Sequence, residues 1–183
     1  MITLITGIPR SGTSLMMQLF KAANADIATD AIRTEDENNP KGYYELEAVK
    51  GIVKNNAFLK DLDGKTIKIV APLVTFIDLS LEYRVVFMIR DLDEVLQSQE
   101  KMLGKDQKEQ QEKFRSIYTL HVEKSRQFLH ANNISFIEIQ HRELLENPET
   151  CLQSLIDFCS WETPLEELKS VIDQSLYRNR KNA

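Results

Sequence analysis

Residues 7–14, with the sequence Gly-Ile-Pro-Arg-Ser-Gly-Thr-Ser, combine two glycines, three hydroxyl side chains and one arginine. A short apolar run at residues 2–6 precedes this segment, and residues 13–24 have a helical pattern. A glycine-rich turn between a buried strand and a helix presents backbone N–H groups at the positive end of the helix dipole. Arg10 adds a planar fork of donors that matches a tetrahedral oxyanion. The segment therefore predicts a phosphate or sulfate site, and the alternative is a plain strand-to-helix turn with a hydroxyl cap.

The spacing of Gly7, Gly12 and Ser14 is nearly that of the nucleotide P-loop, G-x-x-x-x-G-K-[ST]. In that loop the lysine holds the transferred phosphates and the next hydroxyl binds magnesium. Here Thr13 occupies the lysine position, and the predicted strand ends carry no carboxylate that would complete a magnesium site. The pattern favours an anion site that needs no metal. An ATP-dependent P-loop phosphotransferase remains the alternative.

A second candidate anion site follows a later strand. Arg90 comes directly after the apolar run at residues 84–89, and Ser98 lies eight residues further, about two turns into the next predicted helix. A guanidinium group at a strand end gives charge-assisted hydrogen bonds to a phosphate. The alternative is that Arg90 only pairs with Asp91 or Asp93.

Both candidate sites require strands that end at one edge of a sheet. Uniformly apolar runs that alternate with helices are typical of a parallel sheet covered on both faces. The sequence thus predicts a three-layer α/β domain of the P-loop type, with a mostly parallel sheet of four to five strands, and ligands bind such sheets at the carboxyl ends of the strands. The predicted strands are residues 2–6, 66–71, 84–89 and 134–139. The predicted helices are residues 13–24, 45–59, 92–103, 107–131, 148–160 and 164–175.

Length, net charge, apolar runs and cysteine spacing limit the classes of binding partner and the cellular compartment that we expect. A chain of 183 residues fits a single domain over residues 1–183, and its net charge of −5 disfavours binding to nucleic acid or an anionic membrane. No apolar run approaches the roughly 20 residues of a membrane span, and no signal peptide opens the chain. Cys151 and Cys159 are eight apart on a predicted helix, about 12 Å along its axis, which is too far for a disulfide. These features predict a cytoplasmic protein.

Several of these motifs resemble those of sulfotransferases. Residues 9–14 resemble the 5′-phosphosulfate loop of that family, in a form similar to protein-tyrosine sulfotransferases and their bacterial relatives. Arg90 and Ser98 have the spacing of the pair that holds the 3′-phosphate of PAPS, 3′-phosphoadenosine-5′-phosphosulfate, in these enzymes. Residues 39–45, 141–148 and 172–180 are similar to segments of bacterial sulfotransferase-like proteins.

The resemblance implies transfer of the sulfuryl group of PAPS, without a metal, to a hydroxyl or amine of a small-molecule, glycan or peptide acceptor. Because the chain is short for this family, it also implies that a partner or a second subunit completes the acceptor site. A non-catalytic module that binds PAPS or its product is the alternative. Arg10 is the expected stabiliser of the transferring group, and Arg178 lies in a basic tail that lacks the glycines of cytosolic sulfotransferases. The expected cofactor-binding residues are Gly7, Pro9, Arg10, Ser11, Gly12, Thr13, Ser14, Arg90, Ser98 and Arg178.

The mechanism that the resemblance implies also needs a general base. Tyrosine sulfotransferases use a glutamate after the first helix, and Glu45 is the first candidate here because it is expected to open the helix at residues 45–59. The alternative is that Glu45 only favours a helix N-terminus. Glu35 is the second candidate, although its acidic run is also typical of a solvated loop. His141 follows the last predicted strand and could approach the pocket edge, but a packing role is favoured for it.

Overall fold

The sheet is parallel throughout. The computed structural model describes residues 1–30, 32, 36, 42–104 and 110–173, apart from the side chain of Leu103. Within these ranges the strands are β1 (Ile2–Gly7), β2 (Thr66–Lys68), β3 (Tyr83–Ile89) and β4 (Ser135–Gln140). Their spatial order is β2-β1-β3-β4, and each neighbouring pair is parallel. The predicted α/β class and parallel sheet are therefore confirmed, with four strands.

Six α-helices connect or follow these strands in the described ranges. Three 3₁₀ turns, Glu47–Gly51, Ala57–Leu62 and Leu73–Phe76, fill the connections on either side of β2. The α-helices are α1 (Thr13–Ala22), α2 (Leu92–Leu103), α3 (Gln111–Ala131), α4 (His141–Glu146), α5 (Pro148–Cys159) and α6 (Leu165–Val171).

The two faces of the sheet bury two apolar clusters, which produces three layers. One cluster joins strand residues such as Ile5 and Val86 to buried side chains of α1, α4, α5 and α6. The other joins Leu4 and Val85 to the buried residues of the 3₁₀ turns and to Leu129 of α3. Side chains alternate between the faces because successive residues of a strand point to opposite sides. The predicted layering is confirmed.

The strand register brings the two candidate anion segments to one edge. Gly7, the last residue of β1, pairs with Met88 of β3. Arg90 lies two residues beyond Met88, so it emerges at the same edge as the loop after Gly7. Asp91 begins α2 by accepting hydrogen bonds from the backbone N–H groups of Asp93 and Glu94, at 2.8 and 3.3 Å. This cap turns the chain into the helix that carries Ser98.

The predicted helix at residues 45–59 is wrong. The chain forms the two 3₁₀ turns Glu47–Gly51 and Ala57–Leu62 instead. The carbonyl oxygen of Gly51 accepts from the N–H groups of both Lys54 and Asn55, which closes a turn, and the Asn55 side chain accepts from the N–H of Ala57. An asparagine side chain that bonds to nearby backbone competes with a continuous helix, and glycine disfavours a helix because its backbone loses more conformational entropy there. Glu45 therefore precedes a 3₁₀ turn and does not open an α-helix.

Three other predicted boundaries need correction, those of β2, α1 and α6. The β2 ladder ends at Lys68 and not at residue 71, although Ile69 and Ala71 still donate to β1 carbonyls. Helices α1 and α6 are shorter than predicted, with α6 ending at Val171 where Ile172 becomes extended. The predicted start of α3 at residue 107 lies outside the described residues, in which α3 begins at Gln111. The predicted pattern also missed the short helix α4, which begins directly at the end of β4.

Two negative expectations concern the membrane and the cysteines. None of the described helices combines the length and the hydropathy that a bilayer-spanning segment requires. Cys151 and Cys159 are both free thiols on α5, and burial raises the pKa of Cys159 to about 11. Cys159 is therefore a buried, protonated side chain, as expected for a small apolar residue.

Candidate functional site

The loop between β1 and α1 has three residues with positive φ, and two of them are glycines. Gly7 and Gly12 have φ values of 152° and 97°, and Arg10 also lies in the left-handed region at 69°. A Cβ on Gly7 would lie 2.7 Å from the carbonyl oxygen of Met88 and 2.4 Å from Oγ of Ser11. A Cβ on Gly12 would lie 2.5 Å from the imidazole of His141. Both glycines therefore let the loop fold back closely against β3 and α4.

The loop presents hydrogen-bond donors that suit an anion. The first turn of α1 has N–H groups without an acceptor within the helix, and no side chain caps it. Ser11 is fully buried, and its Oγ has no hydrogen-bond partner among the described residues. Thr13 is buried and Ser14 half-buried at the start of α1, while Pro9 is exposed on the outside of the turn. This donor set fits a phosphate or sulfate group.

The structure brings Arg10 and Ser98 together. The Nε of Arg10 donates to the Oγ of Ser98 at 2.9 Å, and its Nη1 lies 3.9 Å from the sulfur of Met102. Ser98 is buried on α2. The sequence assigned Arg10 to one end of a nucleotide and Ser98 to the other, but in the structure the two side chains share a hydrogen bond. The two predicted anion sites are therefore contiguous.

Arg90 joins the same cluster. Its Nη1 donates to the backbone oxygen of Arg10 at 2.9 Å, so that the arginine braces the loop directly. Its Nε donates to the Oε2 of Glu94 at 3.0 Å in an ion pair whose two side chains are 9% and 2% exposed. Glu94 thereby fixes the direction of the guanidinium plane. Sequence reasoning considered Asp91 and Asp93 as partners and missed Glu94, although the spacing of four residues is the helical one that makes such pairs.

His141 lies directly against the loop. It is the first residue of α4, only 7% exposed, and its ring faces the α-carbon of Gly12. Burial, with a further effect of the nearby Arg90 cation, lowers the pKa of His141 from 6.5 to about 3. The imidazole is therefore neutral at physiological pH, and it contributes packing rather than positive charge to this edge.

Of the two base candidates, the structure describes only Glu45, which stands apart from this cluster. Glu45 lies beside β2, where its Oε1 is 3.3 Å from the Nζ of Lys68. Lys68 pairs in register with Ile5 of β1, two residues before the loop begins. Glu35 lies outside the described residues, as does Arg178.

Among known proteins, solved structures resemble this chain in fold, although its sequence has no match. No family model and no curated protein matches the sequence. Retinol dehydratase, solved with androsterone and the inactive cofactor PAP, matches 97% of the chain at a TM-score of 0.56 and 15% identity. The sulfotransferase domain of the Synechococcus PCC 7002 olefin synthase matches 99% at 0.50 and 12% identity, and a sulfotransferase from Mycobacterium avium matches 98% at 0.50 and 11% identity. The chain has the sulfotransferase fold.

The matches cover nearly all of this chain but a smaller share of each solved structure. The chain spans 64% of retinol dehydratase, 88% of the olefin synthase domain and 68% of the Mycobacterium avium enzyme. Nearly all of this chain thus corresponds to the common fold, whereas part of each longer structure has no counterpart here.

Within the sulfotransferase fold, the loop after β1 separates two groups of side chains. Arg90, Ser98 and Glu94 lie on the β3 side of the loop, and Glu45 with Lys68 lies on the β2 side. Across the described ranges, no group of three or more His, Cys, Asp or Glu side chains is arranged as metal ligands. Sequence reasoning did not single out Lys68, because a lone lysine within an apolar strand gave no motif.

Proposed function

We propose that the chain is a sulfotransferase that transfers the sulfuryl group of PAPS to a hydroxyl or amine and releases PAP. One observation carries this proposal: Arg10, Arg90 and Ser98 form one hydrogen-bonded cluster around a loop whose donors suit a phosphate. Two anion sites in contact suit a nucleotide that bears phosphates at both its 5′ and 3′ positions. The co-crystallised PAP of retinol dehydratase supports the same ligand class.

The residues of the chain have distinct roles in this proposal. The N-terminal amides of α1, with Ser11, Thr13 and Ser14, bind the 5′-phosphate, while Arg90 and Ser98 bind the 3′-phosphate. PAPS supplies an activated sulfuryl group, and during transfer negative charge grows on the oxygen that bridges phosphorus and sulfur. Arg10 stabilises that charge, since a fixed donor aimed at developing charge lowers the barrier most.

Glu45 is the proposed general base. It accepts the proton of the acceptor hydroxyl or amine while the acceptor atom bonds to sulfur, and the bond from sulfur to the phosphate oxygen breaks with its electron pair. The strand order supports this division of roles: the nucleotide side chains lie toward β3, and the base lies toward β2, with the loop between them. An acceptor on the β2 side would meet the transferring group from the side opposite to the nucleotide.

Ligand discrimination tests the nucleotide site. Because Arg90→Ala alone would leave the buried carboxylate of Glu94 without this partner, the Arg90→Ala/Glu94→Gln double variant is compared with Glu94→Gln. Loss of a charged contact should cost about 1.5–3 kcal/mol, or roughly 10- to 150-fold in the Kd of PAP, by calorimetry. The Kd of 5′-AMP, which lacks the 3′-phosphate, should change little. Arg126→Ala, on the distant α3 surface, is the control that should leave both Kd values unchanged.

Turnover tests the reaction itself. PAP release from PAPS is measured with androsterone, tyramine, glucosamine and a short tyrosine peptide as acceptors, with and without magnesium. Androsterone is included because retinol dehydratase was solved with it. Release that depends on an acceptor and does not depend on magnesium supports the proposal. Tight PAP binding without transfer would favour a non-catalytic module, and binding of ATP with magnesium in place of PAP would favour a phosphotransferase.

A further inference from the structure

Lys68 is a buried cation in an apolar strand. It is 5% exposed and lies between Ile67 and Ile69, which are both fully buried. Since side chains alternate along a strand, the isoleucines join the cluster beneath α3 and Lys68 points to the opposite face, which α1 covers. Removing an ammonium group from water costs several kcal/mol unless partners replace the water. The position of Lys68 therefore requires specific partners.

Those partners come from one short segment, residues 43–45. The Nζ of Lys68 donates to the backbone oxygen of Tyr43 and lies 3.3 Å from the Oε1 of Glu45. It also lies 5.9 Å from the centre of the Tyr43 ring, within the range of a cation–π contact. Lys68 thus binds the backbone oxygen of Tyr43 and the carboxylate of Glu45, the proposed general base.

The backbone of Glu45 is fixed independently of Lys68. Its carbonyl oxygen accepts from the Oγ1 of Thr29 at 3.0 Å and from the N–H of Asp30 at 3.4 Å. The preceding residue, Tyr44, has a φ of 52°, which a bulky side chain rarely adopts. Left-handed residues of this kind concentrate at functional sites. A fixed backbone and a paired carboxylate oxygen together give Glu45 a defined direction.

We infer that Lys68 is a positioning residue that holds the Glu45 carboxylate oriented toward the acceptor. This inference rests on the proposed sulfotransfer. The Glu45 side chain is 31% exposed whereas that of Lys68 is 3% exposed, so the acceptor meets the carboxylate and the lysine stays behind it. Lys68 acts only through Glu45 and does not touch the acceptor or the nucleotide.

A double-mutant cycle separates this role from a purely structural one. The variants are Lys68→Met, Glu45→Gln and the combination, and kcat is measured by PAP release with the best acceptor of the panel above. Loss of a general base lowers kcat by about 10²- to 10⁴-fold, and Glu45→Gln should fall in this range. Lys68→Met should lower kcat by at least about tenfold in the wild-type background and by less than about twofold in the Glu45→Gln background, because the pair acts as a unit. The KM for PAPS should stay within about twofold throughout.

Two further variants exclude a general loss of structure. Lys68→Arg keeps the cation and should recover part of the rate that Lys68→Met loses. Lys65→Met removes a neighbouring lysine whose ion pair with Asp26 is exposed, and it should leave kcat unchanged. Calorimetry with PAP verifies that each variant keeps the nucleotide site.

The outcomes distinguish this inference from the proposed function. If the wild type neither binds PAP nor consumes PAPS, the proposed function fails and the inference fails with it. If the wild type is active but Lys68→Met lowers kcat equally in both backgrounds, or not at all, only the inference is overturned. A rise in the KM for PAPS without a change in kcat would overturn it as well, since that would assign Lys68 to nucleotide binding.

Discussion

Acidification should weaken this fold through one buried side chain, His141. Burial and then the Arg90 cation lower its pKa from 6.5 to about 3, so the native state stays neutral where the unfolded chain takes up a proton. The contribution of neutral His141 to the free energy of unfolding is therefore fully present above its ordinary pKa of 6.5. This contribution is lost as the pH falls from about 6.5 toward about 3. Between those values the loss is about 1.4 kcal/mol per pH unit. From neutral pH to pH 5 it amounts to about 2 kcal/mol.

Urea unfolding at pH 7 and pH 5 measures this effect, with His141→Gln as the comparison. The variant lacks the titrating ring, so its free energy of unfolding should fall by about 2 kcal/mol less than that of the wild type over the same interval. The difference between the two proteins cancels the contribution of the acidic residues, whose titration they share. Parallel losses in both proteins would refute the reasoning and would mean that His141 becomes protonated within the native state.

Three substitutions test the packing around the loop. Thr6→Val should raise the free energy of unfolding by about 1 kcal/mol in urea, because the buried Oγ1 of Thr6 has no hydrogen-bond partner in the described part of the chain; a decrease would reveal a bond to water. Ser11→Ala should leave the unliganded protein equally stable or more stable yet weaken PAP binding in calorimetry, and an unchanged Kd would remove Ser11 from the phosphate site. Gly7→Ala should lower the free energy of unfolding by at least about 1 kcal/mol, because its Cβ would lie 2.7 Å from the Met88 carbonyl oxygen. A thermal midpoint equal to that of the wild type would contradict this last expectation.

The sheet and the positions of the loops at its carboxyl edge were predictable because their signals are local. Residues 2–6 and 85–89 consist of apolar or β-branched residues, and each run ends at a segment rich in donors, so strand and loop positions follow from the pattern alone. The prediction of an α-helix at residues 45–59 was wrong because the helical spacing of its apolar residues also suits two 3₁₀ turns around Gly51 and Asn55. There the turn-forming residues, and not the periodicity, decided the structure.

The contacts within the site were less predictable, since they depend on packing between distant segments. No local pattern predicts that Arg10, in the loop before α1, would reach Ser98, which lies 88 residues away on α2. Likewise, a single lysine, Lys68, within the apolar run of β2 does not predict an ion pair with Glu45, which lies far away in the sequence. Glu94 is different, because it lies four residues after Arg90, and this local spacing was a signal that the sequence interpretation overlooked.

The distribution of charge agrees with the proposed function, which requires a chain with a net charge of −5 to bind a small anion. At the loop edge two guanidinium groups and the amides of α1 face the same region, while the nearby His141 stays neutral and Glu94 offsets part of the charge of Arg90. The Glu94 carboxylate makes the electrostatic potential at this edge less positive, but it also fixes the orientation of the Arg90 guanidinium. The edge therefore favours a ligand whose shape matches these donors over one that is only highly charged. Under the proposed function a nucleotide with two phosphates needs only this edge, whereas a long polyanion would also meet the rest of a chain whose net charge is −5.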